Sequence, residues 1–234
     1  MRALSTSDVL DLWERGAGMH PLDRGLLTLA TVKPEVSPAD IADWPLGRRN
    51  HALLEMQIAA FGPKLQGWCT CLGCDEKMEF EIDAHALAAE HRSSAAGEIH
   101  FKSRTFRLPT SRDLSTVGAE GDSNAAALML VRRCLSEGDS LNEWGPQDTE
   151  SLGEAMAAAD PLAEVRISLA CPRCENEQEE TIDLVNFLWS ELEARAKRAF
   201  WEVHTIASAY GWTEREILAL SPVRRAHYTE MVQA

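Results

Sequence analysis

The sequence predicts a mainly helical α+β fold, in which N-terminal helices and a long C-terminal helix surround a small antiparallel sheet. Apolar residues recur every three or four positions over the first sixty and the last fifty residues. Short segments between those regions alternate apolar and charged residues, as half-buried strands do. The predicted regions are 1–63 (helical), 64–109 (strands), 110–160 (acidic helical insertion), 161–184 (strands) and 185–234 (helical).

Composition excludes several classes of protein. The 234 residues include 23 Lys+Arg and 37 Asp+Glu, for a formal net charge of −14. Sequence-independent nucleic-acid binding requires cations that displace phosphate counterions, so this charge argues against it. No apolar run approaches the roughly 20 residues that span a bilayer, and the N-terminus lacks the apolar core of a signal peptide. We therefore expect a cytoplasmic protein with no membrane span.

The first sixty residues predict four helices with clear start and stop signals. Ser and Thr side chains can accept hydrogen bonds from free backbone N–H groups at a helix start, and proline fits the first turn. The predicted starts are Thr6 or Ser7, Pro21, Ser37-Pro38 and Arg48, and the fourth helix is predicted to end at Gly62-Pro63.

Four segments predict short strands. The clearest is Lys77 to Asp83, where apolar and charged residues alternate without interruption. The others are a hairpin over Glu98 to Leu108 that turns near Lys102-Ser103, a strand over Ala163 to Ala170, and a shorter strand over Thr181 to Leu184. Short strands in four segments of a helical chain predict one small sheet.

The insertion over 110–160 carries half of the chain's negative excess, because it contains ten acidic and three basic residues. Helices are predicted there over Ala125 to Ser136 and Thr149 to Ala159.

Beyond the second strand region, apolar residues recur from Val185 to Tyr210 and predict a long amphipathic helix. Shorter helices are predicted after Thr213 and from Ser221-Pro222.

Two C-x2-C pairs are the strongest chemical signal. Cys71-Leu-Gly-Cys74 and Cys171-Pro-Arg-Cys174 are separated by 96 residues, and each pair is followed by acidic residues and a strand-like segment. Two thiolates three positions apart on a tight turn can face one cation, and two such turns complete a tetrahedral set around Zn²⁺. The sequence therefore predicts a zinc ribbon split by the insertion, with one structural Zn²⁺ held by Cys71, Cys74, Cys171 and Cys174.

Other interpretations of the cysteines stay open at this stage. The pairs can be unrelated buried cysteines or redox dithiols, although neither opens a helix after a strand as a thioredoxin-type site does. Cys69 either replaces a zinc ligand or points away from the cluster, and Cys134 is expected to be buried on a helix. Four thiolates leave no open coordination position, and the chain shows no catalytic motif, so we expect a protein that is not an enzyme.

Basic doublets and tail aromatics are the candidate partner-binding residues. The doublets Arg48-Arg49 and Arg224-Arg225 stand in acidic surroundings, where they either form local salt bridges or dock an acidic partner through guanidinium contacts. Trp212 and Tyr228 are predicted to be exposed aromatics of the C-terminal region.

Several segments together resemble a known family. They are Leu12-Trp-Glu-Arg-Gly16, His20-Pro-Leu-Asp-Arg24, Pro45-Leu-Gly-Arg-Arg-Asn50, Phe61-Gly62, the second cysteine pair, Trp201-Glu-Val-His204, Tyr210 to Ile217, Arg224-Arg225 and Tyr228. In this order they resemble the zinc-ribbon baseplate-associated proteins of phage tail-like contractile injection systems, which are distantly similar to the baseplate hub assembly proteins of T-even-type phages. The resemblance leaves out the acidic insertion. Asp75 and Glu175 stand where such cysteine turns often have glycine, which adopts left-handed turns more easily.

The resemblance implies a non-catalytic structural or chaperone-like assembly protein of a contractile injection baseplate, with other baseplate or tail proteins as partners. The alternative is a zinc-ribbon regulator that binds nucleic acid, because residues 206–232 have a helix–turn–helix spacing. Residues 195–234 also carry six Arg or Lys against four Glu.

Overall fold

The computed structural model describes residues 2–91 and 97–233. It confirms a mainly helical α+β fold with small antiparallel sheets. The helices are α1 (Thr6–Gly16), α2 (Pro21–Val32), α3 (Pro38–Ala42), α4 (Leu46–Phe61), α5 (Ala84–His91), α6 (Ser111–Val117), α7 (Ser123–Cys134), α8 (Pro146–Ala159), α9 (Leu184–Tyr210), α10 (Glu214–Leu218) and α11 (Pro222–Gln233). The strands are β1 (Lys64–Thr70), β2 (Lys77–Asp83), β3 (Glu98–Phe101), β4 (Arg104–Arg107), β5 (Val165–Ala170) and β6 (Glu177–Ile182), and a 3-10 turn covers Pro161–Ala163.

Local signals set most of the element boundaries correctly. The long helix ends where Gly211 adopts a left-handed φ of 68°, and the Thr213–Glu216 capping box opens α10. The hairpin over β3 and β4 turns at Lys102 and Ser103, as predicted, with positive φ at both residues.

The prediction of one small sheet is wrong. In the described residues the strands form three separate two-stranded sheets, β1–β2, β3–β4 and β5–β6, each made by neighbours in the sequence. The strand predicted over Thr181 to Leu184 begins earlier, at Glu177, and its final residue opens α9 instead.

The largest apolar core lies among helices from the two ends of the chain. Residues of α1, α2, α4 and α9 pack there, including Leu12, Leu29, Leu53 and Leu192, which are almost completely buried. The 27 residues of α9 span about 40 Å. This length allows α9 to pack against the N-terminal helices and also against α10 and α11.

A second core places the two cysteine-bearing hairpins side by side. Leu65 of β1 and Val165 of β5 share one buried cluster with Ile182 of β6, Leu54 of α4 and Leu184 at the start of α9. Segments a hundred residues apart in the sequence therefore pack against the same helices.

The third hairpin belongs with the acidic insertion. Phe106 of β4 is completely buried among Val131 of α7 and Leu152 and Met156 of α8. Hydrogen bonds then fix both ends of the insertion to the start of α4: Leu46 N donates to Pro109 O (3.0 Å), and Gly47 N donates to the Asp160 carboxylate (2.8 Å). The β3–β4 hairpin therefore packs with the insertion, and both are held against the start of α4.

Among residues 2–91 and 97–233, no helix combines the length and the apolar character that crossing a bilayer requires.

Candidate metal centre

The two C-x2-C pairs form matching turns at the tips of two hairpins. Cys71 N donates to Glu76 O (2.8 Å) and Asp75 N donates to Cys71 O (3.0 Å). The second turn repeats this pattern, because Cys171 N donates to Asn176 O (2.9 Å) and Glu175 N donates to Cys171 O (2.9 Å). Asp75 and Glu175 adopt left-handed φ values of 59° and 60°, at the positions where the sequence lacks the expected glycines.

The turns bring all four predicted ligands together. The sulfur atoms of Cys71, Cys74, Cys171 and Cys174 all lie within 4.8 Å of one another. Two of the separations run across the hairpins, 3.6 Å between the Sγ atoms of Cys71 and Cys174 and 3.7 Å between those of Cys74 and Cys171. Four cysteine thiolates at this spacing can hold a metal ion.

Backbone and side-chain groups hold the first turn against the second hairpin. Gly73 N donates to Cys71 Sγ (3.3 Å). The Gln178 amide accepts from Leu72 N (2.9 Å) and donates to Thr70 O (3.1 Å). Arg173 also forms an ion pair with Glu76 across the turns (3.3 Å). Gln178 was not predicted from the sequence. Its only sequence signal is that it aligns with the buried Met78 when the two cysteine segments are superposed.

The thiols have unequal proton affinities. Burial opposes ionisation of Cys171, but the N–H groups of Arg173 and Cys174 and the neighbouring thiols outweigh it and lower its pKa to about 7. The N–H of Glu76 favours the Cys74 thiolate, yet the adjacent thiols and desolvation raise the pKa of Cys74 to about 12. One thiol therefore ionises easily while a neighbour retains its proton, because adjacent thiolates repel one another unless a cation lies between them.

The remaining cysteines lie outside this group of four. Cys69 is buried on β1, and burial raises the pKa of its thiol. Cys134 is buried at the end of α7, as predicted, where desolvation raises its pKa to about 11. Both thiols are protonated at neutral pH, which makes them poor nucleophiles.

The predicted docking role of the arginine doublets needs correction at two positions. Arg49 is 6% exposed and donates to Asn50 Oδ1 and Ser111 Oγ. Arg225 is 3% exposed and donates to Glu202 Oε2 (2.8 Å) and Thr6 Oγ1 (2.8 Å). Both guanidinium groups are therefore engaged inside the molecule and are not surface groups for a partner.

Their neighbours remain on the surface. Arg48 is exposed, with its guanidinium 4.3 Å from the centroid of the Trp44 ring, and Arg224 is also exposed. The predicted exposure of Trp212 and Tyr228 is only partial. Both are half-buried in a three-ring cluster with Tyr210, with centroids 5.1 to 5.8 Å apart.

Comparisons with protein-family models, curated proteins and solved structures found no match to this chain. The resemblance to baseplate proteins therefore rests on the sequence segments quoted above.

Proposed function

We propose that this chain is a zinc-stapled, non-catalytic interaction protein that serves as a structural or assembly component of a contractile injection baseplate. One observation carries the proposal: four cysteines from two distant hairpins converge on a single cluster, with all four sulfur atoms within 4.8 Å of one another. The cluster connects segments that are separated by the whole acidic insertion.

The donor set favours zinc among the metals. A zinc–sulfur distance of about 2.3 Å in a tetrahedron places neighbouring sulfurs about 3.8 Å apart. The two sulfur separations across the hairpins, 3.6 and 3.7 Å, are close to this value. Thiolates also suit soft or borderline cations and are poor ligands for Mg²⁺ or Ca²⁺.

A closed four-thiolate site supports a structural role. All four coordination positions are filled by cysteine, so a bound ion has no free position for water or substrate. When bound, zinc supplies folding free energy by fixing the two hairpins to each other. Because β2 leads into α5 and β6 leads into α9, the staple sets the position of the long helix relative to the N-terminal half.

The segments that carry the family resemblance also make long-range contacts. Arg24 donates to Gly16 O (2.9 Å), and its guanidinium lies 4.6 Å from the Trp189 ring centroid. Arg49 and Arg225, from two other such segments, are the buried arginines described above. The resembling segments therefore take part in the fold of this chain, and the proposal of a cytoplasmic or particle-bound baseplate protein rests on the resemblance itself.

A deletion in the native host tests this function. We expect cells that lack the chain to produce few or no complete sheathed particles by electron microscopy. Plasmid-borne wild type and Cys134→Ser should restore the particles, whereas Cys171→Ser should not. Particles of normal number and length in the deletion strain would contradict the proposal. Mass spectrometry of purified particles then separates a resident component, which is present, from an assembly factor, which is absent.

A further inference from the structure

A groove of about 410 Å³ lies between the two cysteine-bearing hairpins and the start of α9. Its apolar walls include the rings of Trp68, Phe80 and Phe187, and its acidic residues include Glu180 and Glu191. We call it the inter-hairpin groove. It lies on residues outside the cysteine cluster, and the proposed staple is needed only to hold its two sides together.

Two acidic side chains of the groove carry charge that no described basic residue pairs with. No Lys or Arg is among its lining residues. Glu180 and Glu191 form no ion pair with any described residue, whereas Glu81 on β2 pairs with Lys64 (2.9 Å). Asp183 is different, because its carboxylate accepts hydrogen bonds from the first N–H groups of α9.

Trp68 gives the groove a surface for cations. The side chain is 61% exposed, and Lys77 Nζ lies 4.6 Å from the centroid of its ring system. An indole face attracts ammonium and guanidinium groups through its quadrupole.

At Gly67 an added Cβ would lie 2.5 Å from the Phe80 ring, so glycine allows this ring to lie against the strand.

We propose that the inter-hairpin groove docks an extended segment of a partner protein that carries arginine or lysine. The cationic group would lie beside Trp68 and face Glu180 and Glu191, while the apolar part of the segment covers Phe80 and Phe187. Long-range attraction supports the same partner, because 64–83 and 164–183 together contain eleven acidic and four basic residues. The inference rests on the proposed role as an interaction protein and names the chemistry of its partner.

Calorimetry with the zinc-loaded full chain tests the groove. The probe is an acetylated, amidated hexa-arginine peptide at physiological ionic strength. We expect saturable binding that Glu180→Gln/Glu191→Gln weakens about tenfold and that Trp68→Ala weakens to a similar degree. Matched controls remove the same charge or ring elsewhere: Glu150→Gln/Glu154→Gln on the exposed face of α8 and Trp201→Ala on α9 should change the dissociation constant less than about twofold.

Three outcomes would overturn the proposal. Equal weakening by the two Glu→Gln pairs would show non-specific charge attraction, and unchanged binding by Trp68→Ala would place the peptide elsewhere. Spermidine binding more tightly than the peptide at the same groove residues would identify a polyamine as the occupant. Metal content is measured on the wild type and on every variant. A wild type that retains zinc but does not bind the peptide rejects the groove alone, whereas a wild type without zinc rejects the staple.

Discussion

Adjacent arginines in this chain have opposite environments. Arg224 is exposed, and Arg225 is enclosed by α1, α9 and the start of α11, where Glu202 neutralises its charge. The doublet alone does not indicate which arginine is buried. Thr229, which lies one turn further along α11 and is also buried, is polar as well, so polarity does not distinguish the buried side of this helix.

This difference gives a prediction about stability. Arg225→Ala should lower the free energy of unfolding by about 3–5 kcal/mol, because it leaves the Glu202 carboxylate buried without its partner. Arg224→Ala should change it by less than about 0.5 kcal/mol. Urea unfolding of the two variants measures both values, and equal losses would contradict the burial assigned to Arg225.

A second residue-scale prediction concerns Asp113, which is completely buried at the junction of β4, α6 and α7. Burial alone would raise its pKa, but bonds from Arg107, Thr110 and Arg133 outweigh that effect and hold the pKa well below its usual range. The unfolded carboxyl titrates near 3.9, so the stability contributed by Asp113 is present above about pH 4 and is lost as the pH falls toward the folded value.

We therefore expect the urea midpoint of the wild type to fall more between pH 7 and pH 3 than that of Asp113→Asn. The Asn variant should be less stable at pH 7, because an amide cannot accept charge-assisted bonds from two arginines. Parallel pH dependence in the two proteins would show that Asp113 is not the titrating group. Asp11→Asn, which changes an exposed pair with Arg15, is the matched control.

At the scale of elements, the cysteine turns are the repeated unit. Each combines a strand, a turn with one left-handed residue, a second strand and a capping aspartate, Asp83 or Asp183, that opens a helix. Glu175 holds its left-handed conformation without the freedom of glycine, at a cost of about 1–3 kcal/mol.

Glu175→Gly should therefore raise the free energy of unfolding by up to about 1 kcal/mol, after the greater flexibility of glycine in the unfolded chain offsets part of the gain. Glu177→Gly, two residues later in extended β6, should lower it by about 0.5–1 kcal/mol. Thermal unfolding of the zinc-loaded variants compares them. Destabilisation by both substitutions would contradict the turn conformation.

Local sequence patterns predicted these elements because each pattern depends only on residues that are neighbours in the sequence. Alternation gave β2 over its full length, proline gave the start of α2, and apolar periodicity gave α9 to within one residue. The four metal-ligand candidates were also predictable, since C-x2-C spacing requires only a turn. The arrangement of the strands into sheets was harder to predict. Residues far away in the sequence pack against each hairpin, and hydrophobic periodicity does not identify those residues.

At the scale of the whole molecule, separate cores imply separate responses to metal removal. The cysteine hairpins pack on α4 and the start of α9, whereas the insertion has its own core around Phe106 and Leu152. Contacts such as Asp160 with Gly47 N join the insertion to α4 across 113 residues, and no local pattern predicts them.

A high-affinity chelator should therefore increase amide hydrogen exchange first in residues 64–83 and 165–182. Exchange in 123–134 should change little, because α7 packs in the insertion core and not on the hairpins. Mass spectrometry of peptides before and after chelation, with zinc restored as a control, measures this difference. Simultaneous loss of protection throughout the chain would show a single cooperative unit instead.

The most direct test of the staple is the metal content of five purified proteins, measured by native mass spectrometry. Wild type should carry one zinc ion per chain, and Cys71→Ser and Cys171→Ser should each lose it. Cys69→Ser and Cys134→Ser should retain one ion, because neither sulfur belongs to the group of four. Absence of zinc from the wild type, or its loss from the Cys69 variant with retention in the Cys171 variant, would contradict the staple.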